Sequence, residues 1–124
     1  MKDKRQINLD LMTIKFPLTA IKSILHRISG VFVFLMIPLL LWCLQYSLAS
    51  PLHVLYLQAS FMQTWFKGLV LLTVWAVLYH LLAGIKHLVM DLGYWETKTS
   101  GPVVAKILLG LFTILALFVG VYLW

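Results

Sequence analysis

Long apolar stretches separated by short polar ones organise this chain. From Ile28 to Phe66 no residue carries a permanent charge. A helix needs about 20 residues to cross the hydrocarbon core of a bilayer. The pattern predicts a first span over about residues 21–50, with Pro38 inside it. A proline there lacks the N–H of a helix interior, so it kinks the helix or leaves a carbonyl free. Ser50-Pro51-Leu52-His53 ends the run, and residues 50–60 read as a short interfacial loop with His53 solvated in it. The next apolar stretch predicts a second span over about 61–90, where Lys67 can extend its ammonium towards the interface. Residues 91–98 are polar, and Thr99-Ser100-Gly101-Pro102 marks a turn before a third span over about 103–124. Tyr46, Tyr56 and Trp65 suit an aromatic belt at one membrane face. The expected architecture is all-α: one domain, residues 1–124, with an N-terminal polar segment 1–20 and three transmembrane helices. Pro17 and Thr19 favour a turn or helix start at the end of that segment.

Composition supports a membrane domain. Charged residues make up 11% of the chain, against roughly a quarter in soluble domains, too few to cover a soluble surface. The net charge of +6 would suggest nucleic acid in a soluble protein. Here Lys2, Lys4, Arg5, Lys15, Lys22 and Arg27 crowd the start, and the loop before Lys67 has no basic residue. That asymmetry is a topology signal, so no nucleic-acid partner is expected. The positive-inside rule places the N-terminus and second loop in the cytoplasm, and the C-terminus outside. The apolar run after Arg27 is too long for a secretory signal. The single Cys43 excludes an internal disulfide and a thiolate cluster, and reads as an apolar packing residue. No acidic residue lies within a span, which argues against a proton- or cation-carrying transporter.

The candidate chemistry sits at two places that the topology puts at the same membrane face. In the second span, His80 and His87 are seven residues apart, hence on one helical face about 10 Å apart along the axis. Gly84 lies between them and lets a flat group approach the backbone. One reading is a planar cofactor held by an imidazole, with haem the first candidate. The other is a hydrogen-bonded packing histidine beside a packing glycine. In the first span, Ser23 and Arg27 are four apart and share a face. A hydroxyl and a guanidinium there can hold a carbonyl or carboxylate at the bilayer edge. A quinone head group suits such a pocket, and a haem propionate suits Arg27 or His26. The alternative is that Lys22 and Arg27 meet lipid phosphates. Three helices with two polar faces turned inwards are incomplete, so a partner set of helices is expected.

Ser23-x-x-His26-Arg27-x-Ser29, followed by His80-x-x-x-Gly84-Ile85-Lys86-His87-x-x-Met90-Asp91-x-Gly93, resembles the cytochrome b membrane-anchor subunits of succinate dehydrogenase (succinate:quinone oxidoreductase, complex II). Asn8-Leu9-Asp10-Leu11 and Phe16-Pro17-Leu18-Thr19-Ala20-Ile21 place the resemblance in the proteobacterial branch, and it covers nearly the whole chain. It implies that His80 is an axial ligand of haem b, whose other ligand comes from a second anchor subunit. It implies a quinone site using Ser23 and Arg27, and haem propionates near His26 and Arg27, with His87 as a further propionate contact or outer support. Asp91 would cap or orient the second loop. The implied partners are that second anchor, an iron–sulfur subunit, a flavoprotein subunit and membrane lipid. The chain would bind no succinate and hold no catalytic residue of its own, and electrons would pass from succinate through flavin and clusters to ubiquinone. Two rivals are the anchor of a fumarate reductase, running the reverse reaction, and a haem-free structural anchor. Two positions depart from the family's usual pattern. Lys86 stands where Arg is usual, keeping the charge without the bidentate fork, and Arg5 is followed by Gln6 rather than Pro.

Overall fold

The computed structural model describes residues 18–124 except Glu96 and Lys98, and only the backbone of residues 18–20 and 22. Of the expected polar segment 1–20, residues 1–17 lie outside the described residues, and with them the 8–11 motif and the start of the 16–21 motif. Four helices follow: α1 Leu18–Ala49, α2 Pro51–Phe61, α3 Thr64–Asp91 and α4 Ser100–Leu123. No strand occurs among the described residues. Three of the helices are long and apolar enough to cross a membrane: Ser23–Ala49 within α1, Thr64–Asp91 and Ser100–Leu123. Helices suit this medium because each backbone N–H finds its partner within the segment. The few hydroxyls in the spans follow the same logic. Ser47 donates to the Leu44 carbonyl, Thr73 to Leu69 and Thr113 to Leu109, so these three need no water.

The all-α, three-span expectation agrees with this architecture, while three local readings do not. Residues 50–60 form a helix, not a loop. Ser50 caps α2, its side chain accepting from the His53 N–H, and Pro51 opens the first turn, where its missing N–H costs nothing. His53 is consequently half-buried rather than free in a solvated loop. α2 folds back on α1, and the His53 ring stacks on Tyr46 with centroids 4.1 Å apart, its Nδ1 buried without a partner. Thirdly, Ser100, Gly101 and Pro102 belong to α4 rather than to a turn before it. The Thr97 hydroxyl accepts from the Ser100 N–H and closes the entry.

α1 runs uninterrupted through Pro38, which removes only the hydrogen bond to the Phe34 carbonyl. α3 is the middle helix, antiparallel to α1 on one side and α4 on the other. Its end is closed by backbone alone: Gly93 at φ 84°, Gly93 N–H to Met90 O and Tyr94 N–H to Val89 O. That paired pattern satisfies the last carbonyls. The Asp91 carboxylate, expected to cap the loop, makes no hydrogen bond among the described residues.

α4 docks on α3 along a largely apolar seam that holds a polar contact. Trp75 Nε1–H donates to the Ala116 carbonyl at 3.0 Å, the Gly120 backbone faces the Trp75 ring, and Phe112 meets Tyr79 edge-on at 5.5 Å. At the α2 end, α1, α2 and α3 enclose an apolar cavity of about 340 Å³ lined by Leu39, Cys43, Leu57, Phe61, Val70 and Val77, among others. Few side chains are deeply buried: Ser29, Thr73, Ala105 and Ala116 are the buried residues among those described, and no large one is fully enclosed.

Candidate functional site

The site forms where α1 crosses α3, near the end of the bundle away from α2. Two glycines and two histidines interdigitate there. Gly30 of α1 faces His80 of α3 so closely that a β-carbon on it would lie 2.8 Å from His80 Cε1. Gly84 of α3 faces His26 of α1, where a β-carbon would lie 3.5 Å from His26 Nε2. The flat group that approaches Gly84 is therefore the His26 imidazole. The His26 and His80 rings stack at 4.3 Å and 11°. His87 lies against the other side of the cluster, 5.3 Å from His26 and tilted by 40°. The spacing of His80 and His87 along one face lets a single histidine of α1 meet both.

Hydrogen bonds at this crossing are specific. His80 Nδ1 lies 3.2 Å from the His26 carbonyl oxygen and 3.3 Å from Ser29 Oγ. Ser29 donates its own proton to the same carbonyl at 2.8 Å. Those contacts involve only the Nδ1 edge of His80. His26 Nε2, by contrast, is buried and has no hydrogen-bond partner.

Beside the crossing lies an open hollow of about 450 Å³, lined by His26, Arg27, Gly30, Val31, Phe34 and His80. The expected residues His80, His26 and Arg27 thus come together. Arg27 is exposed at the edge of the hollow, and Ser23, half-buried, lies one turn earlier on α1 and does not line it. His87 also faces away, lining with Lys86 and Tyr79 a small cavity of about 50 Å³ against Ala105, Leu108 and Phe112 of α4. No group of three or more His, Cys, Asp or Glu among the described residues is placed to hold a bare metal ion. His26 and His80 are stacked and His87 is tilted against His26, so the three rings do not converge on one point. A group with in-plane ligands of its own, such as haem, needs no more than one ligand from one chain.

Sequence reasoning missed the parts played by Ser29 and Gly30. Ser29 closes the first motif, and Gly30 comes directly after it, four residues and one turn on from His26. What was lacking was the crossing point, which decides that this particular turn meets His80.

Comparison with known proteins points to one family. The family model for succinate dehydrogenase/fumarate reductase transmembrane subunits matches residues 1–121. A succinate dehydrogenase cytochrome b556 subunit of Coxiella burnetii is 40% identical over 125 residues, covering 100% of both chains. One of the same name from Paracoccus denitrificans is 32% identical over 126 residues and 95% of each chain. A succinate dehydrogenase cytochrome b560 subunit of Marchantia polymorpha is 34% identical over 110 residues, 82% of this chain and 80% of the relative. With the match running through all three spans and both histidine-bearing segments, this chain belongs to the succinate dehydrogenase/fumarate reductase transmembrane subunit family.

Proposed function

We propose that this chain is a haem b-binding anchor of succinate:quinone oxidoreductase and forms part of its quinone-reduction site. The observation that carries the reading is the His80 imidazole. Its Nδ1 is engaged by the α1 backbone, which leaves Nε2 as the ligating atom beside the hollow. A ligand histidine held through its other nitrogen by a carbonyl is the usual arrangement at protein metal sites. The buried Nε2 of His26, which has no hydrogen-bond partner, and the open hollow beside His80 and Arg27 also fit a group that completes the site from outside the chain. Haem b bound by His80 would supply a one-electron carrier within the membrane.

Other residues take roles that follow from their chemistry. His26 and Arg27, both lining the hollow, would meet the haem propionates, with His87 supporting His26 from behind. Arg27 also reaches the membrane edge with Ser23, one turn away. There Ser23 would donate a hydrogen bond to a ubiquinone carbonyl. The Arg27 guanidinium would stabilise negative charge on the ring as it takes up two electrons and two protons. The electrons would originate from succinate in a flavoprotein subunit and arrive through an iron–sulfur subunit, since the single Cys43 cannot hold an iron–sulfur cluster. The second axial ligand would come from a second anchor subunit, seated on the apolar face of α1 beside the hollow, where Val31 is 61% and Phe34 69% exposed. The basic N-terminal segment orients the chain with its N-terminus in the cytoplasm and the haem end near that face of the inner membrane.

The test is a reduced-minus-oxidised spectrum of the purified complex with its co-purifying subunits identified. A low-spin b-type signal that disappears in His80→Ala is the expected result; a native signal retained in that variant refutes the ligand. Ser23→Ala and Arg27→Ala should depress quinone reduction while succinate oxidation by a soluble acceptor continues. If both activities stay normal, the quinone pocket lies elsewhere. Fumarate reductase is the second reading, favoured only by the breadth of the family, and the quinone type that co-purifies separates the two.

A further inference from the structure

We infer that the α1 turn from His26 to Gly30 is a clamp that sets the tautomer and ring plane of His80, with Ser29 as its positioning hydroxyl and Gly30 as its spacer. The inference rests on His80 being the haem ligand and deepens that reading. A neutral imidazole has one N–H and one lone pair. The His26 carbonyl can only accept, and it lies 3.2 Å from His80 Nδ1, so the proton is on Nδ1. Ser29 gives its hydroxyl proton to the same carbonyl. Its oxygen therefore turns a lone pair towards Nδ1–H from 3.3 Å. Two acceptors from one helical turn converge on one N–H. The opposite tautomer would set the Nδ1 lone pair against the His26 carbonyl and would have Ser29 give up its bond to that carbonyl in order to donate to Nδ1. Nε2 is thus held as the basic nitrogen before any metal is present.

Gly30 makes the approach possible. A β-carbon there would lie 2.8 Å from His80 Cε1 and 3.2 Å from Nδ1, inside the usual 3.5–4.0 Å carbon–carbon separation. Nor can Ser29 serve the surrounding lipid, since it is one of the few buried residues of the chain. Acceptors on the far N–H of a ligand histidine raise its basicity. A more basic ligand favours ferric over ferrous iron, so the clamp lowers the midpoint potential of the haem.

The experiment uses the intact complex carrying Ser29→Ala, Gly30→Ala or His80→Ala, with haem per complex and the haem midpoint potential as readouts. His80→Ala should lose haem. Ser29→Ala, which removes one acceptor and leaves the fold's packing nearly unchanged, should raise the potential or lose haem. Gly30→Ala should lose haem or shift its low-spin spectrum, and if that variant does not assemble, Ser29→Ala carries the test alone. A midpoint potential unchanged or lowered in Ser29→Ala, with haem still dependent on His80, overturns the clamp and leaves the ligand assignment standing. Native haem in His80→Ala overturns the ligand assignment and the clamp together.

Discussion

Gly84 offers a graded test of the α1–α3 crossing. A β-carbon added there would meet His26 Nε2 at 3.5 Å, ordinary van der Waals contact. Gly84→Ala therefore costs no packing, and losing glycine's backbone freedom stabilises a helix by roughly 0.5–1 kcal/mol. Valine extends the side chain by about another 1.5 Å, one carbon–carbon bond, into a gap that is already closed. His26 must then move, and overpacking of this kind costs roughly 1–3 kcal/mol. The swing from Ala to Val is about 1.5–4 kcal/mol from these two terms. Gly68→Val on the same helix is the control, since nothing lies within 4 Å of a β-carbon there. The assay is survival of the purified complex on heating, read by size-exclusion chromatography, together with haem per complex. Gly84→Ala should melt at or slightly above the wild-type temperature with full haem. Gly84→Val should melt lower and lose haem, while Gly68→Val keeps it. A Gly84→Val complex as stable and as fully loaded as wild type would mean that α1 and α3 do not meet at this spacing.

Three further outcomes follow from contacts elsewhere. Trp75→Phe keeps most of the ring but removes the 3.0 Å bond to the Ala116 carbonyl; the melting temperature should fall by the equivalent of about 1 kcal/mol. Trp75→Ala opens the α3–α4 seam and should cost roughly 3–5 kcal/mol; equal effects of the two would deny the ring its packing role. Gly93→Ala forces an L-residue to φ 84° and should destabilise by about 1–2 kcal/mol, with Gly93→Asn costing less in the same melt. Arg27→Lys keeps the charge and loses the fork, so it should retain more quinone reductase activity than Arg27→Gln, with a raised KM for quinone; steady-state kinetics in which the two match each other count against a role for the guanidinium.

Much of the architecture was legible because a bilayer imposes few solutions. Uncharged runs of the right length have to be helices, and the three spans lie within a few residues of their expected limits. α2 was not legible as apolar periodicity, since residues 50–60 mix Gln58, Ser60 and His53 with leucines. Its real signal was local: Ser50-Pro51 is a cap followed by a first-turn proline. His53 was misread for the same reason. Its burial depends on α2 folding back over Tyr46, which no single segment encodes. At the site, residue types and spacing identified the two histidine-bearing segments. They did not identify which turn of α1 would meet His80, because a crossing point is a property of two helices together.

The arrangement at that crossing weighs against an anchor that merely docks other subunits. A docking helix pair in lipid is served by small residues and apolar contacts. Here the two glycines admit not each other's helix but two imidazoles, stacked at 4.3 Å. One of them carries a buried nitrogen without a partner, a defect that costs about 1–3 kcal/mol while it persists. Beside it stands Arg27, exposed, and a hollow whose other walls are Val31 and Phe34. A haem would offer acid groups to His26 and Arg27, an apolar body to Phe34 and a metal to His80, and so would use these features together. Lipid answers only the apolar ones, and a partner helix alone leaves the His80 lone pair and the His26 nitrogen unused. The features that are costly for a bare anchor are thus the ones that a haem shared with a second subunit would satisfy.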